Sequence, residues 1–339
     1  MGSLGIAIGY AIIVGWVVRS LFGSLTNTIL TTDAAAYFSQ ATGEFGSIPW
    51  HVIVVAMAMA ILMFGVASGI EKINKVLMPS FFVLFAILAI RVAFLPGAAE
   101  GYRFLFVPKW EYLLKVDTWV MAMGQAFFSL SITGSGMIVY GTYLKKDEDI
   151  PRASIQTAFF DTLAAMLSAL AIMPAVFAFG IDPTSGPQLM FVTLPQIFQQ
   201  MPGGRIFALL FFVSVFFAGI TSLMNMLEAC GEALTSTFRL SRTVSTLLVG
   251  AAAFLPGLFL ESLAGMGGWM DLITIYVSPF GALLVAVCIY FVLGMKDIGA
   301  ELALGRARAP GRLFGITARF YVFLTVAVWI LGIAYGGIG

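Results

Sequence analysis

The sequence has little charge and a single histidine, and each shortage excludes a class of protein. Charged residues make up only 10% of the 339 residues, whereas hydrophobic residues make up 60%. A soluble protein carries roughly 25% charged residues to cover its surface, so this chain has too little charge for a water-facing shell. The net charge of +1 gives no support to nucleic-acid binding. The one histidine, His51, has no cysteine or histidine beside it, which argues against a transition-metal site.

Enzyme signatures are missing as well. The sequence contains no metal-ligand spacing, no phosphate-binding glycine loop followed by lysine, and no serine–histidine pair with a third partner. The two cysteines, Cys230 and Cys288, both lie inside apolar stretches, where we expect no structural disulfide. We therefore predict that the protein is not an enzyme and carries no organic cofactor.

Long apolar runs are what the sequence has in abundance. A bilayer core of about 30 Å requires about 20 mostly apolar residues per helix, and these runs lack the alternation of barrel strands. We predict an all-α fold, a polytopic membrane helix bundle that forms a single transmembrane domain over residues 1–339 with about nine spans. The predicted spans are 4–26, 51–70, 76–98, 118–143, 154–180, 205–234, 243–262, 270–294 and 315–337.

The distribution of basic residues predicts the orientation, because cytoplasmic loops are enriched in Lys and Arg. Twelve of the 18 basic residues lie in one set of alternate loops, at 71–75, 144–152, 237–242 and 296–319. The amino terminus is then cytoplasmic and the carboxyl terminus outside. Two outer loops, 96–117 and 181–204, are hydrophobic enough to pack onto the bundle. For 181–204, a lid over a pathway and simple interfacial anchoring both remain open.

The stretch Gly124–Tyr143 predicts a broken helix in mid-membrane. Its small and polar residues are Ser129, Ser131, Thr133, Gly134, Ser135 and Gly136. Such residues weaken a helix, and the backbone groups that a break exposes survive only where they line a protein-buried or water-filled cavity. Broken helices present ions and substrates with backbone groups in secondary transporters. The alternative is a small-residue face for helix packing.

Three further polar features lie within predicted spans. Asp161 has no basic residue within two turns, which favours ion or proton handling over capping of a neighbouring helix. Thr221 and Ser222 supply hard oxygens of the kind that sodium prefers, although membrane hydroxyls more often bond to their own helix backbone. Asp271 is placed at the outer start of a span, where a solvated helix cap is the simpler interpretation.

The run GQAFFSLSITGSGMIVYGTYLKKDEDI resembles the broken sixth helix and following loop of the neurotransmitter:sodium symporter family, particularly its bacterial amino-acid transporters. The resemblance continues through DTLAAMLSALAIMPAVFAFG, FVTLPQIF, FFAGITS and WMDLITIYVSPFG, in the family's order and spacing. It implies a LeuT-like inverted-repeat fold, sodium-coupled symport by alternating access, a bacterial inner-membrane location and a small-molecule amino-acid substrate, with membrane lipid as the surroundings. A homodimer stays open, and the sequence does not decide chloride dependence.

The resemblance also implies roles for individual residues. Tyr10 matches the tyrosine that binds the substrate carboxylate, and Phe128 matches the aromatic gate that closes over the substrate. The substrate-binding positions are Ile6, Tyr10, Phe128, Ser129, Ser131, Gly134, Ser222 and Met226. The first sodium site takes Ser129 and Asp161, the second sodium site takes Ala218, Thr221 and Ser222, and the gate takes Phe128 and Asp271.

The departures from the family pattern set the remaining expectations. Two helices precede the helix at Leu4 in the family, so the spans correspond to the family's helices 3–11 and the fold is incomplete at the N-terminus. We expect a fragment or N-terminally truncated form that does not transport alone, and sodium-driven uptake by these 339 residues would refute this. Gly134 and Met226 favour an apolar or aromatic amino acid. A non-transporting regulatory relative and a channel remain as alternatives.

Overall fold

The computed structural model describes residues 2–64, 67–132, 137–138, 141, 144–184, 186–305 and 311–335, and every regular element in these ranges is helical. The helices are α1 (Gly2–Leu25), α2 (Thr28–Thr31), α3 (Ala34–Ala41), α4 (Ile48–Phe64), α5 (Ala67–Ala93), α6 (Ala98–Phe106), α7 (Val116–Ser129), α8 (Ile150–Ala178), α9 (Leu194–Gln199), α10 (Gly204–Phe238), α11 (Arg242–Gly257), α12 (Leu263–Leu272), α13 (Ser278–Val287), α14 (Met295–Ala303) and α15 (Arg312–Tyr335). A 3₁₀ turn at Trp110–Leu114 and π turns at Leu189–Thr193, Ile273–Val277 and Cys288–Leu293 complete the order.

Five helices in the described ranges are long and apolar enough to cross a membrane. They are Gly2–Leu25, Ile150–Ala178, Gly204–Phe238, the continuous run Leu263–Leu293 and Leu313–Tyr335. A sixth span results if Met78–Ala93 and Ala98–Leu114, which meet at 117°, count as one. The described chain also has helices at the other predicted spans, but these helices are shorter than a bilayer crossing requires, as at Ile48–Met63. Nine crossings therefore stay a prediction.

Two predicted spans have different limits in the structure. The span predicted at 118–143 is not one helix, because α7 ends at Ser129. The span predicted at 270–294 begins earlier, at Leu263, where the Ser262 hydroxyl caps the helix by accepting a hydrogen bond of 3.1 Å from the Gly265 N–H. The sequence signal for this earlier start is Ser262, a typical helix-capping residue that hydropathy alone does not reveal.

The core of the bundle surrounds α1, which packs against α4, α10 and α11. Glycines allow the close approach: a Cβ on Gly15 would lie 3.2 Å from the backbone nitrogen of His51 in α4, and one on Gly219 would lie 2.9 Å from Val14. Trp16 and Ile12 of α1 are fully buried. Because lipid is as apolar as these side chains, close packing holds α1 at the centre of the described helices.

The outer segment 181–204 packs onto the bundle, as its hydrophobicity predicted. The Phe191 ring stacks on Phe38 with centroids 5.0 Å apart and meets the edge of Trp16 at 5.9 Å. The Gln199 side chain donates hydrogen bonds of 3.0 Å to the Ile29 and Thr32 carbonyls. The buried side chains of this segment therefore face protein, and its role as a lid or as an interfacial anchor stays a prediction.

The other hydrophobic outer segment, 96–117, divides into a packed half and an exposed half. Helix α6 lies against α8, where a Cβ on Gly101 would come within 2.4 Å of the Pro174 Cα. Beyond α6, Trp110 and Leu114 are 69% and 89% exposed. The prediction that this loop packs onto the bundle is thus correct for α6 only.

Candidate functional site

Helix α7 ends at Ser129 in a Schellman motif, which closes the helix with two reversed hydrogen bonds. The Ser131 N–H donates to the Phe128 carbonyl at 3.0 Å, and the Ile132 N–H donates to the Phe127 carbonyl at 2.9 Å. Ser131 has a φ of 56° in the left-handed region that normally favours glycine. The predicted helix break is therefore present over 129–132, and its continuation through Thr133 and Gly134 lies outside the described residues.

The break brings Ser129 to Asp161 of the neighbouring helix α8. The Ser129 hydroxyl donates a hydrogen bond of 3.0 Å to the Asp161 carboxylate. Asp161 is half-buried and Ser129 is exposed, so the pair is open to a small solute. The two residues expected to form the first sodium site are thus adjacent.

Three oxygen atoms converge on one turn of α10. The Thr221 and Ser222 hydroxyls each donate a hydrogen bond of 3.0 Å to the Ala218 carbonyl, and Thr221 also donates to the Phe217 carbonyl at 2.9 Å. These are bonds to the helix's own backbone, which membrane hydroxyls commonly form. A hydroxyl that donates its proton keeps two lone pairs, so the cluster still offers hard oxygen ligands of the kind that sodium prefers.

Tyr10 of α1 approaches this cluster, because its side chain lies beside Ser222. Met226, one turn beyond Ser222, packs against the same apolar cluster as Tyr10. Ile6 is 2% exposed and lies one turn before Tyr10 on α1. The indole N–H of Trp269 in α12 donates to the Gly5 carbonyl at 2.8 Å. The expected pocket residues of α1 and α10 are therefore close together.

The two expected gate residues stand in different settings. Phe128 is 39% exposed at the end of α7. Asp271 is exposed near the carboxyl end of α12, immediately before the π turn Ile273–Val277. The interpretation of Asp271 as a helix cap is wrong, because α12 begins eight residues earlier, at Leu263. A π turn within a helix is frequently found at functional sites.

Comparison with known proteins decides between the classes that this geometry allows. A family model described as the sodium:neurotransmitter symporter family matches residues 31–334. The chain belongs to the sodium:neurotransmitter symporter family. Like the family's other members, it is a multi-pass membrane transporter protein and not an enzyme.

Relatives and solved structures agree with this assignment. The sodium-dependent transporter YhdH of Bacillus subtilis is 31% identical over 344 residues, which cover 96% of this chain and 76% of YhdH. A sodium-dependent transporter of Haemophilus influenzae is 30% identical over 267 residues, which cover 76% of this chain and 58% of the relative. The crystal structure of MhsT in complex with L-phenylalanine matches 97% of this chain and 78% of MhsT, with a TM-score of 0.89 and 29% identity. The predicted all-α, LeuT-like fold is confirmed.

The symporter chain also contains polar contacts that sequence reasoning missed. Arg242 of α11 and Glu228 of α10 form a salt bridge of 2.8 Å. Glu261, in the turn between α11 and α12, binds both Ser47 and His51 although 214 and 210 residues separate them. No local motif signals a pairing over such a distance. Groups of three or more metal-ligating side chains of the His, Cys, Asp or Glu type are absent from the described residues.

Proposed function

We propose that this chain supplies the sodium- and substrate-binding residues of a symporter that carries an apolar or aromatic amino acid across the bacterial inner membrane. Family membership supports sodium dependence. The relatives from Bacillus and Haemophilus support a bacterial membrane protein. The predicted orientation, with a cytoplasmic amino terminus, belongs to the same proposal and is supported by the uneven distribution of basic residues.

One observation carries the proposal: the hydrogen bond between Ser129 and Asp161 at the helix break. A carboxylate at membrane depth is costly unless a cation or a donor compensates it. At this position the carboxylate accepts a hydrogen bond from the Ser129 hydroxyl, at the residue where α7 ends. These are the oxygen types that a sodium ion accepts as ligands.

The second group of oxygens, at Ala218, Thr221 and Ser222, supports a second sodium position. Ser222 is shared with Tyr10, which we assign to the substrate carboxylate. Sodium binding at Ala218, Thr221 and Ser222 therefore orders Ser222, which is the residue beside Tyr10. Through this contact sodium entry, to which the membrane potential contributes about 2.3 kcal/mol per charge at 100 mV, is coupled to substrate binding.

The substrate class rests on two observations. MhsT, which has the same fold, was crystallised with L-phenylalanine. In this chain Tyr10 and Met226 pack against the same apolar cluster, and Ile6, one turn before Tyr10, is buried. We assign Phe128 as the side chain that closes over the substrate, Ser131 and Gly134 as pocket residues, and Asp271 as part of the outer gate.

Substrate retention by the purified chain tests the proposal. The chain is immobilised in detergent and incubated with radiolabelled phenylalanine, leucine or glycine in sodium chloride or in potassium chloride. We expect sodium-dependent retention of phenylalanine and leucine that exceeds that of glycine. Equal retention in sodium and potassium would contradict sodium coupling, and a preference for glycine would contradict the substrate class.

Reconstitution into liposomes separates binding from transport. Uptake is measured under an inward sodium gradient and again after the gradient is collapsed with an ionophore. Accumulation that disappears with the gradient would indicate symport and would refute the expectation that these residues do not transport alone. Conductance that persists without a gradient would instead indicate a channel.

A further inference from the structure

The outer segment 106–116, which runs from the end of α6 to the start of α7, presents apolar side chains that the described part of the protein does not cover. Trp110 and Leu114 lie at the two ends of its 3₁₀ turn, and both are exposed. A group of exposed apolar side chains marks a place where a partner or a membrane binds. The exposed apolar side chains of this segment are Phe106, Val107, Trp110, Leu113, Leu114 and Val116.

The direction of the chain favours a membrane surface over a partner protein. Met78–Ala93 of α5 and the following piece Ala98–Leu114 meet at 117°. Where α5 crosses the bilayer, a piece at this angle runs closer to the membrane plane than to the membrane normal, which is the setting of interfacial helices. One side of the piece is held by the bundle, because the Phe104 ring packs with its centroid 5.3 Å from that of Phe177 in α8.

The residue types of the segment are those of a lipid interface. Trp and Tyr, here Trp110 and Tyr112, are enriched where the headgroups meet the acyl chains. The Nζ atoms of Lys109 and Lys115 lie 5.9 Å and 4.2 Å from the centre of the Tyr112 ring, within the range of a cation–π contact. Long lysine side chains keep their charge at the headgroup level while their stems lie on apolar surface. Lipid phosphates are anions at that level, and two ammonium groups are gathered to meet them.

The charge of the segment fits zwitterionic lipid. Two lysines, Lys109 and Lys115, and one acidic residue, Glu111, give it a net charge of +1. A segment that selects anionic lipid by charge has a cluster of about 4–8 basic residues, which is more than this one contains. Its apolar side chains, rather than its charge, therefore supply most of the attraction to lipid.

The segment is fixed to α7 and is not a loose loop. The indole N–H of Trp119, in the first turn of α7, donates a hydrogen bond of 2.9 Å to the Leu113 carbonyl. The Lys115 N–H donates to the Tyr112 carbonyl at 3.1 Å, which closes the 3₁₀ turn. A surface that is already ordered loses less entropy on binding. The position of the turn is also passed on to α7, the helix that ends at Ser129.

We propose that segment 106–116 is a membrane anchor that lies in the interfacial region of the leaflet at this end of the bundle. Trp110 and Leu114 enter the upper part of the acyl region, and Lys109 and Lys115 stay at the level of the lipid phosphates. The anchor thereby holds the start of α7 at a fixed depth in the membrane.

Quenching of tryptophan fluorescence by brominated lipid measures where Trp110 lies. The full chain is reconstituted at low density into phosphatidylcholine liposomes whose bromine atoms are either near the headgroup or near the end of the acyl chain. The contribution of Trp110 is the difference between the wild-type chain and Trp110→Phe. We expect the shallow bromine to quench this contribution more strongly than the deep one. Stronger quenching by the deep bromine, or no quenching by either lipid, would overturn the proposal.

Leu114→Glu shows whether the apolar side chains hold the turn in the lipid. We expect quenching of the Trp110 contribution by the shallow bromine to fall at least about twofold, because a charge below the headgroup level is costly. Leu114 is exposed, so the Tm in detergent should stay that of the wild-type chain. The control is Leu304→Glu after α14, an exposed leucine in a loop predicted on the opposite side of the membrane, which should leave the quenching unchanged. Equal quenching in Leu114→Glu and the wild-type chain would contradict the anchor.

Aqueous iodide identifies what covers the segment if lipid does not. A second copy of the chain on the segment would protect Trp110 from lipid bromine and from iodide alike. Exposure to water would leave Trp110 open to iodide and closed to both brominated lipids. Either result would contradict the anchor, and neither depends on sodium binding or transport.

Discussion

The Ser129 hydroxyl donates a hydrogen bond of 3.0 Å to the Asp161 carboxylate, and this bond joins the end of α7 to the middle of α8. Ser129 is the last residue of its helix, so a carboxylate and a hydroxyl meet where the helix is broken. The break is therefore a part of the candidate site and more than an interruption of a span.

Replacing Asp161 with Asn should weaken sodium dependence in the intact symporter. The substitution keeps the shape and the contact with Ser129 but removes the negative charge that compensates the cation. We expect the sodium concentration for half-maximal substrate binding to rise at least about tenfold, which corresponds to about 1.4 kcal/mol. Sodium titration of substrate binding measures this directly.

Asp117→Asn is the matched control for this change. Asp117 is an exposed carboxylate in the first turn of α7, at the opposite end from Ser129. Its replacement should leave the sodium titration unchanged. An Asp161→Asn variant with the sodium response of the Asp117→Asn variant would rule out the assigned role.

Thr221→Val should show whether the Thr221 hydroxyl binds sodium or only bonds to the backbone of its own helix. Valine has nearly the shape of threonine but no oxygen, so a role in sodium binding predicts a clear shift of the sodium titration to higher concentrations. The control is Ser214→Ala on the same helix, where the buried hydroxyl donates to the Leu210 carbonyl at 2.7 Å. If both variants titrate like the wild type, Thr221 has a structural role alone.

Much of the fold follows from the sequence because its signals are local. Apolar runs predict where helices lie, and the serines and glycines after Gly124 predict the break that the structure has at Ser129. The aromatic and proline-rich segment 181–204 predicts packing onto the bundle, which the burial of Phe191 confirms. Each of these properties depends on neighbouring residues within a few turns.

Other features depend on residues far apart in the chain and could not be predicted in this way. Glu261 and His51 each look unpaired in sequence, and only the crossing of α4 beside the turn before α12 brings them together. The start of α12 at Leu263 depends on the cap at Ser262, which a hydropathy search does not detect. The expected roles of individual site residues came from the family resemblance, not from composition or spacing.

Ser131→Gly should stabilise the protein, since Ser131 has a positive φ of 56°. A side chain in this conformation costs roughly 1–2 kcal/mol, whereas glycine loses about 0.5–1 kcal/mol more conformational entropy on folding. The net expectation is a gain of about 0.5–1 kcal/mol in the free energy of unfolding. Ser131→Ala keeps the Cβ and should show no gain, so equal stability of the two variants in thermal unfolding would argue against backbone strain.

Gly101→Ala should loosen α6 from α8. A Cβ at this position would lie 2.4 Å from the Pro174 Cα and 2.7 Å from the Met173 carbonyl oxygen, and both are backbone atoms that cannot turn aside. Overpacking of this kind costs about 1–3 kcal/mol. Gly267→Ala in α12 is the control, because a Cβ there meets nothing within 4 Å. We expect a lower Tm for the first variant and an unchanged or higher one for the second, because alanine favours helix over glycine. A Tm for Gly101→Ala equal to that of the wild type would mean that α6 does not rest on α8 at this contact.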